Sequence, residues 1–144
     1  MFKKIILITL LFGIILSQDK QKVVLITGTA LGIGKSTAEY LIDKGHIVYG
    51  GDILIEENLY LNDIGGTALE MDVTNQNHID NAVKKIISEQ GRIDVLVNNA
   101  GLGVYGAIED VSMEDIYYQY DVNLFGLARV TKAVLPYMRE KKSG

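Results

Sequence analysis

The sequence predicts an α/β fold, a doubly wound parallel sheet with helices on both faces, and three observations carry that prediction. From residue 22 onward, short β-branched runs alternate with longer segments of helical periodicity. The runs are apolar at consecutive positions, as in Val95, Leu96 and Val97, which is the pattern of strands buried on both faces. The first run leads straight into a glycine-rich turn and then a helix, as in a β-α-β unit.

Taken in order, the elements are four strands and five helices. Val23–Thr27 is the first strand, and a helix follows from about Leu31 to Lys44 with Ala38, Leu41 and Ile42 on its apolar stripe. Gly45 is a natural stop for that helix. Ile47–Tyr49 is the second strand, Glu56–Asp63 a short helix and Thr67–Met71 the third strand. Thr74 or Asn75 can cap a helix that runs to about Gln90, with Ile79, Ala82, Val83, Ile86 and Ile87 inward. Asp94–Asn98 is the fourth strand. Ser112 caps the next helix, whose positive end carries Glu114 and Asp115. A long helix then passes through Phe125, Val130, Ala133 and Val134 toward Met138, and Pro136 should bend or tighten its last turns. The expected strand order is 3-2-1-4.

Composition narrows the function. The chain has 144 residues, 14 Lys plus Arg against 18 Asp plus Glu, 15 Gly, one Pro, no Trp and no Cys. Without Cys there is no disulfide scaffold, zinc ribbon, thiol nucleophile or iron–sulfur site. A net charge of −4 without a Lys/Arg block argues against nucleic acid as a partner. His46 and His78 have no paired carboxylate near in sequence, so a surface or capping role is expected and no metal site.

Residues 1–17 stand apart. Lys3 and Lys4 precede a 12-residue run, Ile5 to Leu16, interrupted only by Thr9 and Gly13 and followed by Ser17. This fits the charged and hydrophobic parts of a secretory signal, with Ser17 a possible cleavage point. The run is short for a membrane span, which needs about 20 apolar residues. An uncleaved membrane-surface anchor and a mis-assigned start are the alternatives. The expected location is therefore membrane-associated or exported if 1–17 function, and cytoplasmic otherwise.

Gly28-Thr-Ala-Leu-Gly32-Ile-Gly34-Lys35-Ser36 joins the first strand to the first helix. Glycines there allow a tight turn and close approach to a diphosphate, and the helix N-terminus offers free N–H groups. The phosphate loop of a nucleotide hydrolase needs four residues between its first Gly and Gly-Lys-Ser. Here five lie between Gly28 and Gly34, and position 29 is Thr, so Lys35-Ser36 is a near miss and Lys35 reads as a solvated helix residue. Dinucleotide binding fits better. Asp52, 18 residues after Gly34, stands where a carboxylate can accept hydrogen bonds from both adenosine ribose hydroxyls. It would repel a 2′-phosphate, and neither Gly51 nor Ile53 supplies an Arg to attract one, which favours NAD over NADP.

Four segments in this order, Thr27-Gly28-Thr-Ala-Leu-Gly32-Ile33-Gly34, Asp72-Val73, Asn98-Asn99-Ala100-Gly101 and Asp121-Val122-Asn123-Leu-Phe-Gly126, make residues 22–144 resemble a short-chain dehydrogenase/reductase. The resemblance implies a Rossmann-type sheet and hydride transfer between a nicotinamide cofactor and a small alcohol or carbonyl substrate. By the same resemblance Gly28, Gly32, Ile33 and Gly34 hold the diphosphate, with Thr29 and Leu31 in the same cofactor loop, and Asp52 holds the ribose. Asp72 and Val73 lie against the adenine, Asn99, Ala100 and Gly101 line the cofactor, and Asn98 braces the sheet. Asn123 matches the helix asparagine that orders a proton-relay water beside a catalytic lysine. The full-length parent is expected to be a homo-oligomer.

Such enzymes use a Ser and a Tyr-x-x-x-Lys pair, on a fifth strand and the helix beyond it. The expectation is therefore a domain over 18–144 that ends before its catalytic segment and has negligible turnover alone. Tyr137-Met-Arg-Glu-Lys141 fits the spacing but is a decoy, since Tyr137 is ~20 Å along the helix axis from Asn123. Packing with Met138 is its expected role. Tyr117, Tyr118 and Tyr120 read as a helix face. A nucleotide- or partner-binding chain without catalysis is the rival from another class.

Overall fold

A computed structural model describes residues 20–144, so the 1–17 leader lies outside the described residues. Four parallel strands, β1 (Val23–Thr27), β2 (Ile47–Asp52), β3 (Thr67–Glu70) and β4 (Val95–Val97), form one sheet in the order 3-2-1-4. The helices are α1 (Gly32–Asp43), α2 (Ile55–Asn58), α3 (Tyr60–Asp63), α4 (Gln76–Gln90), α5 (Met113–Tyr120) and α6 (Leu127–Lys141), with a π-helical turn, Asp121–Gly126, joining the last two. β1 pairs with β2 on one side and β4 on the other, so the chain reverses direction across the sheet between those neighbours. A crevice opens there, beyond the carboxyl ends of the strands.

β1 is buried at every position because each of its faces meets a helical layer. Val23 and Leu25 join the core beneath α4 and α6, with Tyr49, Ile79, Ile86, Val130 and Val134. Val24 and Ile26 face the other way, onto Ala38 of α1 and Leu61 of α3. The period of two along a strand splits the consecutive apolar run between two cores.

Several expected boundaries shift. β2 continues to Asp52, three residues past Tyr49, through two buried glycines. A Cβ at Gly50 would come within 2.3 Å of Leu61, and one at Gly51 within 2.6 Å of Met71 Sδ, so the glycines admit close neighbours and do not end the strand. The helix expected over Glu56–Asp63 is two short turns broken at Leu59. Residues 58 and 60 of an unbroken helix would point about 200° apart. The break lets the buried Asn58 and the Tyr60 hydroxyl serve the same buried region. Asn75, not Thr74, caps α4 by accepting from the Asn77 and His78 amides. α1 ends as expected, with Gly45 at φ +81°.

The largest departure is at residues 121–126. Two separate helices were expected, but α5 runs through a π turn into α6, which turns Val122 and Gly126 toward the sheet and leaves Phe125 half exposed. Gly126 is needed where the turn meets the sheet, since a Cβ there would lie 2.6 Å from Val73 Cγ2. α6 continues unbroken through Pro136 to Lys141. β4 is a partly exposed edge strand, with Val95 accessible and Leu96 and Val97 half-buried.

Candidate cofactor cleft

At the carboxyl ends of β1, β2 and β4 lies a cleft made of two adjoining cavities of about 230 and 300 Å³. Gly28, Asp52, Leu54 and Gly101 line both. One lobe is bounded by Met71, Asp72, Val73 and Leu102, the other by Leu31, Ile33 and Asn99 at the start of α1.

The glycine loop is held tightly from behind. Gly28 takes φ +76°, its amide donates to the Gly51 carbonyl at 2.7 Å, and a Cβ there would meet Ala100 Cα at 2.8 Å. Gly34 allows no side chain, since a Cβ would lie 1.9 Å from the Gly28 carbonyl oxygen. Gly32, at φ +60°, faces open space, so this turn presents bare backbone outward. No side chain caps α1, whose first amides are left for an external acceptor. A recess of bare glycine backbone at an uncapped helix start is what a diphosphate fits.

Asp52 sits where the lobes meet. Its Oδ2 accepts from the Ala30 amide at 2.8 Å and its Oδ1 from the Leu54 amide at 2.9 Å, which leaves each oxygen a further lone pair toward the cleft. Asp72 Oδ1 accepts from the amide and hydroxyl of Thr74, which fixes the turn after β3 at the rim of the first lobe.

Some residues play other parts than expected. The Thr29 side chain is fully buried and its hydroxyl donates to Asn58, so it turns away from the cleft that the resemblance assigned it to. Leu31 and Ile33 are largely exposed rim residues. Asn99 lines the cleft, yet its carboxamide donates to the Thr27 and Gly28 carbonyls at 3.0 and 2.8 Å, bracing β1 against β4. The Thr27 hydroxyl in turn accepts from the Asn99 and Ala100 amides. Asn98 points to the helix layer, donating to Thr131 Oγ1 at 3.0 Å while its buried Oδ1 has no protein partner. Asn123 lies in the π turn and clamps one residue of the cleft wall: its Oδ1 accepts from the Leu102 amide at 2.9 Å and its Nδ2 donates to the Leu102 carbonyl at 2.7 Å.

Ile53, Leu54, Met71, Leu102 and Tyr118 also line the cleft and were not anticipated. Only Ile53 and Leu54 carried a signal, as two apolar residues directly after a strand-end aspartate. Tyr137 packs with Met138 against the core below α6, away from the cleft. Lys35 is half-buried over the Tyr60 ring at 4.3 Å, not a solvated residue, and it does not line the cleft. His46 and His78 accept from the Lys22 and Asp72 amides through Nδ1.

Comparison with known proteins agrees with this architecture. The family model described as short chain dehydrogenase matches residues 22–144. The chain is 48% identical over 124 residues to a 3-ketodihydrosphingosine reductase of Bacteroides thetaiotaomicron, covering 85% of this chain and 44% of that protein. It is 39% identical over 130 residues to a 3-oxoacyl-(acyl-carrier-protein) reductase of Thermotoga maritima, covering 85% and 52%. Among solved structures, a 3-ketoacyl-(acyl-carrier-protein) reductase of Brucella melitensis complexed with NADH superposes with a TM-score of 0.80 at 31% identity, over 83% of this chain and 51% of that one. The chain thus spans about half the length of the relatives it matches. With its 3-2-1-4 sheet, its glycine turn and a family match over residues 22–144, the chain belongs to the short-chain dehydrogenase family.

Proposed function

We propose that this chain carries the cofactor-binding portion of an NAD-dependent oxidoreductase that interconverts an alcohol and a carbonyl. The observation that carries the reading is Asp52, a carboxylate held by two backbone amides where the two lobes of the cleft meet. Its free lone pairs suit ribose hydroxyls and its charge opposes a 2′-phosphate. Gly28, Gly32 and Gly34 would cradle the diphosphate, and Met71, Asp72 and Val73 would border the adenine. When bound, the nicotinamide supplies the hydride acceptor or donor. The chain's own residues bind and orient it: Asn99 stiffens the glycine loop, and Asn123 holds Leu102 at the wall.

The two curated relatives named above are reductases of a 3-keto and a 3-oxo compound, which supports a ketone as the substrate class. Among the described residues no Tyr-x-x-x-Lys pair stands at the cleft, so these residues bind dinucleotide with negligible turnover on their own. The exposed Leu124, Phe125 and Leu127 support a homo-oligomer for the whole protein. Membrane association through residues 1–17 rests on the charged and apolar pattern there; among the described residues no helix is long and apolar enough to cross a membrane.

Titrating the chain with NADH and NADPH by fluorescence tests the reading. NADH should bind at least about tenfold more tightly, which corresponds to ~1.4 kcal/mol. Asp52→Ala should weaken NADH and narrow that ratio. Tighter binding of NADPH by the unaltered chain would overturn the assignment of Asp52.

A further inference from the structure

Behind the glycine loop lies a buried polar chain that none of the cofactor assignments use. Asn58 is fully buried, its Oδ1 accepts from the Thr29 hydroxyl at 2.8 Å and its Nδ2 donates to the Gly50 carbonyl at 2.8 Å. Thr29 is also fully buried, and its carbonyl accepts from the Tyr60 hydroxyl at 3.0 Å. A Cβ at Gly50 would come within 2.4 Å of Thr29 Oγ1, so the loop rests directly on β2. Burial, with the charges of Glu39 and Asp52, pushes the Tyr60 phenol up to about 12, which keeps it a donor throughout the neutral range.

The glycine loop and the end of β2 are therefore tied twice through side chains. The outer tie, Asp52 Oδ2 to the Ala30 amide, lies in the cleft and shares its carboxylate with whatever binds there. The inner tie through Asn58 is sealed from water and from ligand, so it keeps its geometry while Asp52 takes new partners. We propose that Asn58 is a positioning residue which, through Thr29 and the Gly50 carbonyl, sets the spacing between the glycine loop and Asp52 and so the reach from diphosphate to ribose. This rests on the ribose and diphosphate assignments proposed above.

The test compares a ligand that spans both points with one that touches a single point, on the 144-residue chain. ADP-ribose carries ribose and diphosphate, whereas adenosine carries only base and ribose. Thr29→Val keeps the shape but removes the donor to Asn58, and should weaken ADP-ribose about tenfold or more while leaving adenosine within about twofold, since a buried Asn58 oxygen without its donor shifts the loop that only ADP-ribose spans. Thr29→Ser, which keeps the hydroxyl, should restore ADP-ribose binding. Without ligand, amide exchange at Gly28 and Ala30 should accelerate in Thr29→Val. Tyr60→Phe, which removes one donor from the edge of the network, should shift the same ratio by about threefold and replaces Thr29→Val if that variant does not fold. An unaltered chain that binds neither probe overturns the cofactor reading and this proposal with it. An unaltered chain that binds both, with the variants weakening both probes alike or neither, overturns the positioning role alone.

Discussion

The two walls of the cleft are built differently. The β1–β2 wall is sealed: Thr29 and Asn58 are fully buried, Gly28 and Gly34 leave no room for a methyl group, and each polar side chain there has a partner. The β4–α5 wall is loose: Tyr118, which lines the cleft, is half exposed, Tyr105, Ile108 and Met113 beyond it are exposed, and the loop after Gly101 is pinned mainly by Asn123 to Leu102 and by Gln119 to the Val104 amide. Rigid walls come from bonds that water cannot replace, adaptable ones from bonds that it can.

Breaking the sealed wall should give the largest effect. Gly34→Ala forces a methyl group against backbone and should cost about 3 kcal/mol in urea unfolding, with NADH binding lost as well. At the seam where β4 meets β1, Asn99→Ala removes the two bonds to the Thr27 and Gly28 carbonyls and should cost about 2 kcal/mol, read as a lower urea midpoint at unchanged slope.

The opposite end of the sheet sharpens the comparison through pH. Burial pushes the Asp94 carboxyl up, but the bonds from the Val23 amide and Arg92 outweigh it and hold it below its ordinary 3.8. A carboxyl depressed by folding adds stability that is complete above its unfolded value and is lost as the pH falls through the folded one. Asp94→Asn should therefore cost about 1–2 kcal/mol at neutral pH, and in urea melts the gap between variant and parent should begin to narrow below about pH 4 and close as the pH falls through the lower folded value.

The smallest effect belongs to the loose wall. Asn123→Ala should lower global stability by no more than about 1 kcal/mol while amide exchange at Leu102 rises. An equally small loss for Gly34→Ala would erase the distinction between the walls.

Much of the sheet was legible in residue order, because the period and composition of a buried strand are local properties. Val23–Thr27 was placed to the residue, and Gly45 and Ser112 were recognised as helix ends. The misplaced features depend on neighbours distant in sequence. The strand expected over Ile47–Tyr49 runs on through Gly50 and Gly51, where Leu61 and Met71 press too close for any side chain. Thr29 looks like a loop hydroxyl until Asn58 arrives 29 residues later to receive it. The π turn at 121–126 has no periodic signature, and its fit to Val73 through Gly126 is a property of the packed helix.

By itself, then, the sequence determined the sheet order, the glycine turn and the acidic residue beside it, since strand patterning and backbone freedom are written residue by residue. Only the tertiary structure decided which side chains face the cleft and which hold it from behind. A hydrogen bond such as Thr29 to Asn58 exists only once β1, β2 and α2 have closed on one another, and the burial that makes it firm is a property of their assembly.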